Sequence, residues 1–318
     1  MIIMKKFLLL IVDLFFLTRP VVIVPVWGFC AFGVYCFRGD LFVGFEARQY
    51  LLIILYSLSA ASVYVVNQIA DREVDKSNPG FPLLARGNIP IRAAWGCAAV
   101  CALLSVAGPL AMGDVAVSLL SITAIAAGYV YSCRPFSLSG RPFFDFLTNA
   151  FEASLAFAAG WRVAGGELSS PALYACALPY FLLMCAGSIS STLPDVPGDR
   201  AHGKVTTAVR FGPKAAHRAA LGCLLAAIPV SIFVSGDRLA LACAALVIPI
   251  YVPYIARATP ANMELTYKVG GAIIMVAAAI ALPLLFPAGI LVYLVTWLYF
   301  RARHRVAYPL LTPDDAVK

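Results

Sequence analysis

What most constrains this chain is a succession of apolar stretches, each about as long as a bilayer is thick. A helix rises roughly 1.5 Å per residue, so about 20 mostly apolar residues cross a hydrocarbon core roughly 30 Å thick. Such stretches fall near 20–37, 49–69, 91–112, 114–132, 143–163, 171–191, 215–235, 238–256 and 267–285, separated by short polar breaks. In lipid every backbone N–H and C=O must find a partner within the protein, and segments of this length can do that as helices. The expected fold is therefore all-α: a polytopic transmembrane helical bundle of nine spans around a central cavity. A further apolar run, Ala288 to Phe300, has 13 residues and reads as a short tenth span, if Pro287 kinks one long last helix, or as a surface segment.

Composition excludes the soluble classes. The chain is 62% hydrophobic and 13% charged, with a mean hydropathy of +0.87, and no stretch is left over for a soluble domain. Residues 1–318 are read as a single membrane domain, with an interfacial segment over 1–19, the bundle over 20–300 and a tail over 301–318. Lys5 and Lys6 precede an apolar run, as in a signal peptide, but Asp13 interrupts that run and Arg19-Pro20 follow without a small-residue cleavage site. The nine cysteines lie mostly within spans, with no CxxC pair, and read as small apolar filler.

The formal charge of +8 speaks of membrane orientation and not of nucleic acid, because the basic residues fall in alternate loops and form no single patch. With the N-terminus inside, only Arg38, Arg48, Arg162 and Arg238 fall outside. The expected setting is a bacterial inner (plasma) membrane with the bilayer as partner. One conflict remains in this count: Arg301, Arg303 and Arg305 also prefer the inside, which asks for an even number of crossings where nine is odd.

Five of the sixteen acidic residues, Asp71, Glu73, Asp75, Asp195 and Asp199, fall in two short stretches at the expected cytoplasmic ends of the second and sixth spans. Asn67, Asp71 and Asp75 are spaced by four, so on a continuing helix they share a face, where like charges repel unless a cation lies between them. Ser191, Asp195 and Asp199 repeat that spacing, although Pro194, Pro197 and Gly198 predict that this second stretch is partly unwound. Magnesium is usually held by one or two carboxylates together with substrate phosphates, so two facing acidic half-sites suit Mg2+ and a diphosphate. Arg72 and Lys76 follow in the first loop and Arg200 and Lys204 in the second, supplying cations for phosphate oxygens.

At these residues the chain resembles the UbiA-type superfamily of intramembrane prenyltransferases. The first motif, NQIADREVDKSNP from Asn67 to Pro79, is similar to the family's NxxxDxxxD signature, in a form with NQ that is similar to members prenylating aromatic acids and related acceptors. The second, DVPGDRAHGKVTTAVRFG from Asp195 to Gly212, is similar to its DxxxD motif, with the trailing element at Gly203, Lys204 and Thr206. A third stretch, YSCRPFSLSGRPFFDFLTN from Tyr131 to Asn149, resembles the loop after the fourth span but departs from YSxPPxRLK. Ser137 and Ser139 replace a basic pair and Arg134 replaces a proline, so Arg134 or Arg141 is expected to supply the phosphate contact instead.

The resemblance implies magnesium-dependent transfer of a prenyl group from a polyprenyl diphosphate to a lipophilic or aromatic acceptor. Asn67, Asp71, Asp75, Asp195 and Asp199 would hold metal, and the basic residues would hold the diphosphate. An allylic cation would be shielded by ring faces, with Tyr64, Tyr129, Tyr131, Phe143, Phe144 and Phe151 as candidates. Asp145 and Glu152 are ionisable groups inside the fifth span, where charge is costly. Asp145 is expected to pair with Arg141, and Glu152 to contact the acceptor or take its proton. A terpene cyclase of the same superfamily would use the same metal sites. A transporter would need ionisable residues strung through several spans, and Asp145, Glu152 and Arg162 are too few.

Overall fold

The computed structural model describes residues 2–42, 44–75, 83–306 and 308–309, without the side chains of 2–7, 74 and 75. The helices among them are α1 (Ile2–Leu17), α2 (Pro20–Arg38), α3 (Ala47–Ala70), α4 (Arg72–Asp75), α5 (Ile91–Ala111), α6 (Val115–Ser132) and α7 (Phe144–Val163). They continue with α8 (Pro171–Ser191), α9 (Val196–Ala201), α10 (Thr207–Phe211), α11 (Pro213–Val230), α12 (Arg238–Ala256), α13 (Pro260–Ala281) and α14 (Leu285–Tyr299). Nine helices among the described residues are long and apolar enough to cross a membrane. The set includes the last one, Leu285–His304, and omits α7, whose 20 residues carry Asp145, Glu152 and Arg162. α7 nevertheless packs inside the bundle against α2, α3, α6 and α8. The protein is a multi-pass integral membrane protein, and its outward side chains, such as Leu103, Phe233, Leu246 and Leu291, form the apolar surface that lipid requires.

Local chemistry sets the helix ends. Glu46 and Gln49 form a reciprocal capping box at the start of α3. Asp114 accepts from Val117 N at 3.1 Å to open α6, and Asp237 accepts from Leu239 N and Ala240 N at 2.8 and 3.1 Å to open α12. The span expected over 267–285 is shifted toward the N-terminus. Thr259 caps it from Asn262 N at 3.2 Å, and the chain leaves the helix at Leu282, the residue before Pro283, where proline disfavours helical backbone. The apolar run counted as 13 residues therefore belongs to a full-length last helix, with Pro287 in its first turn and no kink needed.

That last helix settles the charge conflict. Asp13 of α1 accepts from Arg303 Nε and Nη2 at 2.5 and 2.6 Å and from Tyr299 Oη at 2.5 Å, so Arg303 stands at the same end of the bundle as α1. Around this pair, Phe16 and Leu17 of α1, Leu83, Leu84 and Ile89 after the first acidic loop, and Tyr299 and Phe300 form a small core of their own. Gln68 Nε2 adds a bond to Leu17 O at 2.8 Å.

The main core depends on one close helix crossing. A Cβ at Gly33 of α2 would lie 2.0 Å from Phe157 O, and one at Gly160 of α7 would lie 1.9 Å from Cys30 O. The two backbones touch, as small residues allow between membrane helices. Gly160→Ala should therefore force α2 and α7 apart and cost about 1–3 kcal/mol of stability. Thermal unfolding in detergent checks this: an unchanged midpoint would show that the crossing tolerates a methyl group.

Candidate active site

α3 carries the first acidic motif to its own C-terminus. Asp71 N donates to Asn67 O at 2.8 Å, closing the last turn, and the Asn67 amide donates to Asp71 Oδ2 at 3.1 Å and to Ser132 Oγ at 3.3 Å. One amide thus fixes the carboxylate between the ends of α3 and α6. The helix breaks at Asp71 and restarts as α4, so Asn67, Asp71 and Asp75 do not share a continuous helical face. The Asp75 side chain and Lys76 lie outside the described residues. Among the described residues Arg72 Nε is buried with no hydrogen-bond partner, and a guanidinium in that state is suited to a phosphate oxygen.

The second motif is unwound in part, as its prolines require. α8 ends at Ser191, a 3-10 turn covers Leu193–Asp195, and α9 runs for six residues. Gly203, at φ +73°, then turns the chain back so that Lys204 N donates to Asp199 O at 2.9 Å. Lys204 Nζ reaches across to Asp71 Oδ1 at 2.9 Å, joining the two acidic loops. Asp199 lies within electrostatic reach of Lys204, Asp71 and Asp145. Asp195 is exposed, within electrostatic reach of Tyr267 on α13.

A cavity of about 660 Å³ opens between these loops and the α6–α7 connection, with Asp71, Arg134, Arg141 and Lys204 in its wall. Ser137 and Ser139 also line it, so Arg134 and Arg141 are the cations this connection contributes. Val205 N donates to Gly140 O at 3.1 Å, stitching the connection to the chain just after Lys204. Arg200 is exposed and not part of this wall.

Asp145 does not pair with Arg141, whose Nη2 donates to Pro135 O at 3.2 Å. Its carboxylate accepts from Thr207 N at 2.7 Å and Thr207 Oγ1 at 2.6 Å, while Thr207 Oγ1 accepts from Phe143 N at 2.7 Å. The physical reason is that two donors of Thr207 satisfy both oxygens of a buried carboxylate without a full counter-charge. Asp145 therefore anchors the second acidic loop to α7. Neither Thr207 nor Ser132 was marked by the sequence. Thr207 adjoins the Gly-Lys-x-Thr element, and Ser132 is the serine that follows Tyr131 in the third motif.

Below the loops lies an inner cavity of about 220 Å³, bounded by α2, α3, α6, α7 and α8. Tyr64 and Glu152 line it, as does Tyr56, which the sequence did not single out. Among the described residues Glu152 Oε1 is buried with no hydrogen-bond partner. Asn149, one turn above Glu152, donates to Ser188 Oγ at 2.8 Å and lies 3.5 Å from Tyr131 Oη. Tyr131 is within electrostatic reach of Asp71, Asp145 and Glu152, and so stands between the two cavities. Of the other aromatic candidates, Tyr129, Phe143, Phe144 and Phe151 are exposed, and their rings do not line this chamber.

Among the described residues no group of three His, Cys, Asp or Glu could hold a metal alone. Asp71 and Asp199 instead bring one carboxylate each from separate loops, next to cations suited to phosphate. That donor set fits magnesium, which completes its shell with phosphate oxygens and water.

The profile of the UbiA prenyltransferase family matches residues 26–265. The C(50) beta-cyclic carotenoids biosynthesis protein LbtBC of Dietzia sp. is 27% identical over 225 residues, 70% of this chain and 51% of that protein. The digeranylgeranylglyceryl phosphate synthase of Methanoregula boonei is 30% identical over 186 residues, 57% of this chain and 63% of that protein. The chain thus spans between half and two thirds of the length of these curated relatives. A UbiA homolog from Archaeoglobus fulgidus, solved bound to GPP and Mg2+, superposes with a TM-score of 0.65 at 22% identity, over 85% of this chain and 99% of that one.

Proposed function

We propose, for a chain that belongs to the UbiA prenyltransferase family, that it transfers a prenyl group from a polyprenyl diphosphate to a lipophilic or aromatic acceptor within the bilayer, with Mg2+ as cofactor. The observation that carries this reading is the Lys204–Asp71 ion pair, which closes two acidic loops over one cation-lined cavity. The relative solved with GPP and Mg2+ has the same fold, which supports the assignment of ligands.

In this reading Asn67, Asp71 and Asp199 hold magnesium, with Asp75 expected beside them, and Arg72, Arg134, Arg141 and Lys204 hold the diphosphate, with Lys76 expected to join them. Asp195 and Arg200, exposed and outside the cavity wall, are given no direct contact to metal or diphosphate. When bound, magnesium neutralises charge that develops on the leaving diphosphate. Arg134, Arg141 and Lys204 act in the same sense, and their fixed placement lets them stabilise that charge without reorganisation. Tyr131, Tyr64 and Tyr56 present ring faces where the allylic cation forms, which stabilises it without an atom that would capture it. Glu152 stands on the acceptor side. The acidic loops are cytoplasmic in this reading, because they share one end of the bundle with most of the basic residues.

Incubating membranes that contain the protein with labelled prenyl diphosphates of several lengths tests the assignment. Label should enter a lipid only with magnesium, and chelation should remove at least about 90% of the transfer. Transfer that persists after chelation would rule out the metal, and a labelled product with no acceptor atoms would mean cyclisation instead.

A further inference from the structure

The inner cavity carries a charge pattern unlike that of the cavity above it. The outer wall holds Arg134, Arg141 and Lys204, whereas among the described residues no Lys, Arg or His lines the inner one, where Glu152 is the sole carboxylic acid. Of the other polar groups in the inner wall, Tyr64 Oη donates to Val22 O at 3.3 Å, Ser59 Oγ to Tyr56 O at 2.6 Å and Asn149 to Ser188 Oγ at 2.8 Å, while Tyr56 lies within electrostatic reach of Glu152. A carboxyl group in such a place is costly unless a partner satisfies it, and among the described residues Glu152 Oε1 has none. A hydrogen-bonding group on a ligand would satisfy it.

We propose that the acceptor is an uncharged lipid, without carboxylate or phosphate, and that Glu152 takes the proton this acceptor loses. The proposal rests on the prenyl-transfer reading and adds the acceptor class to it. An anionic acceptor would bring a second negative charge beside Glu152 in a chamber whose described wall holds no cation, Arg19 being within electrostatic reach of Tyr64 but not itself in that wall, and like charges at low dielectric repel strongly. An acceptor with a hydroxyl, or with a carbon that becomes acidic on alkylation, meets the opposite situation.

The position of Glu152 suits this role. It lies seven residues beyond Asp145 on α7, about 10 Å deeper at roughly 1.5 Å per residue. Asp145 is tied to the loop that follows the second acidic motif, so the diphosphate end is above and the acceptor end below. Asn149 and Tyr131 occupy the interval.

The step balances as follows. The allylic C–O bond breaks and its electron pair leaves with the diphosphate. An electron pair of the acceptor forms the new bond to the allylic carbon. The acceptor's proton passes to a carboxylate oxygen of Glu152, which returns it to water after the product leaves. No oxidant or reductant is involved.

The test uses the full chain in lipid nanodiscs with Mg2+ and radiolabelled geranyl diphosphate. Acceptors are offered in matched pairs: a long-chain phenol with and without a ring carboxylate, and a long-chain alcohol with and without a phosphate. The wild type should favour the uncharged member of a pair by at least about tenfold in kcat/KM. Glu152→Gln, nearly isosteric, should lower kcat for that member about a hundredfold, the usual scale for a proton acceptor. It should leave the Kd of geranyl diphosphate unchanged and narrow the bias against the carboxylated member, a relief that mere structural damage would not produce.

Preference for the charged members by the wild type overturns the proposal, and this arm does not depend on any variant folding. Unchanged kcat in Glu152→Gln, or labelling of no acceptor while geranyl diphosphate binds, overturns it as well. Failure of the wild type to bind geranyl diphosphate with magnesium would instead remove the prenyl-transfer reading, and the proposal with it.

Discussion

Asp71→Asn should lower magnesium-dependent prenyl transfer by about two to three orders of magnitude, the usual loss when a preorganised electrostatic contact at a developing charge is removed. Asp71 is the point where both acidic loops meet. Its Oδ1 receives Lys204 at 2.9 Å and its Oδ2 receives Asn67 at 3.1 Å. Asparagine keeps the shape but not the charge, so Lys204 loses its partner and the metal one of its anionic ligands. Steady-state turnover with a labelled prenyl diphosphate checks the size of the effect, and a magnesium titration checks its cause. Under the proposed roles Asp71→Asn raises the magnesium requirement, while Lys204→Met raises KM for the diphosphate. If turnover of Asp71→Asn stays within about twofold of wild type, well short of the loss expected for a metal ligand, Asp71 serves only as a loop tie.

Asp13→Ala should lower stability by about 1–3 kcal/mol. Asp13 is buried and accepts three bonds from Arg303 and Tyr299, whereas the Arg303 side chain is 32% exposed, so water can solvate the guanidinium once the carboxylate is gone. Removing the arginine instead strands a buried carboxylate, so Arg303→Met should cost more than Asp13→Ala. The combined change Asp13→Leu with Arg303→Met should melt closer to wild type than Arg303→Met alone does. Thermal unfolding in detergent measures all three, and equal midpoints for Asp13→Ala and wild type would mean the pair contributes nothing net.

The acidic loops were legible in the sequence because clustered carboxylates are anomalous in so apolar a chain, and Asn67, Asp71, Asp199 and Lys204 do come together. The partners of Asp145 and Arg303 were not legible. Local arithmetic offered Arg141 to Asp145, while the donor that binds it, Thr207, is 62 residues away. Arg303 finds Asp13 290 positions away, a pairing that no window of local hydropathy can register. Ring orientation failed for a related reason: Tyr129 and Tyr131 are two residues apart, so one faces outward and the other faces Asn149, and only the neighbouring helices decide which. Glu152 was conspicuous as a charge, but its apolar chamber is assembled from five helices and had no signature in any one of them.

The Asp13–Arg303 pair also has a meaning in time. A chain is synthesised from its N-terminus at roughly 5–20 residues per second. The two partners are 290 positions apart, so Asp13 waits on the order of 15–60 s for its counter-ion at that rate. Until then α1 has its contacts with Gln68 and with the shell around Leu83 and Leu84, but that shell lacks Tyr299 and Phe300. Assembly of this corner of the bundle thus stays incomplete, with Asp13 buried ahead of its counter-ion, until α14 arrives.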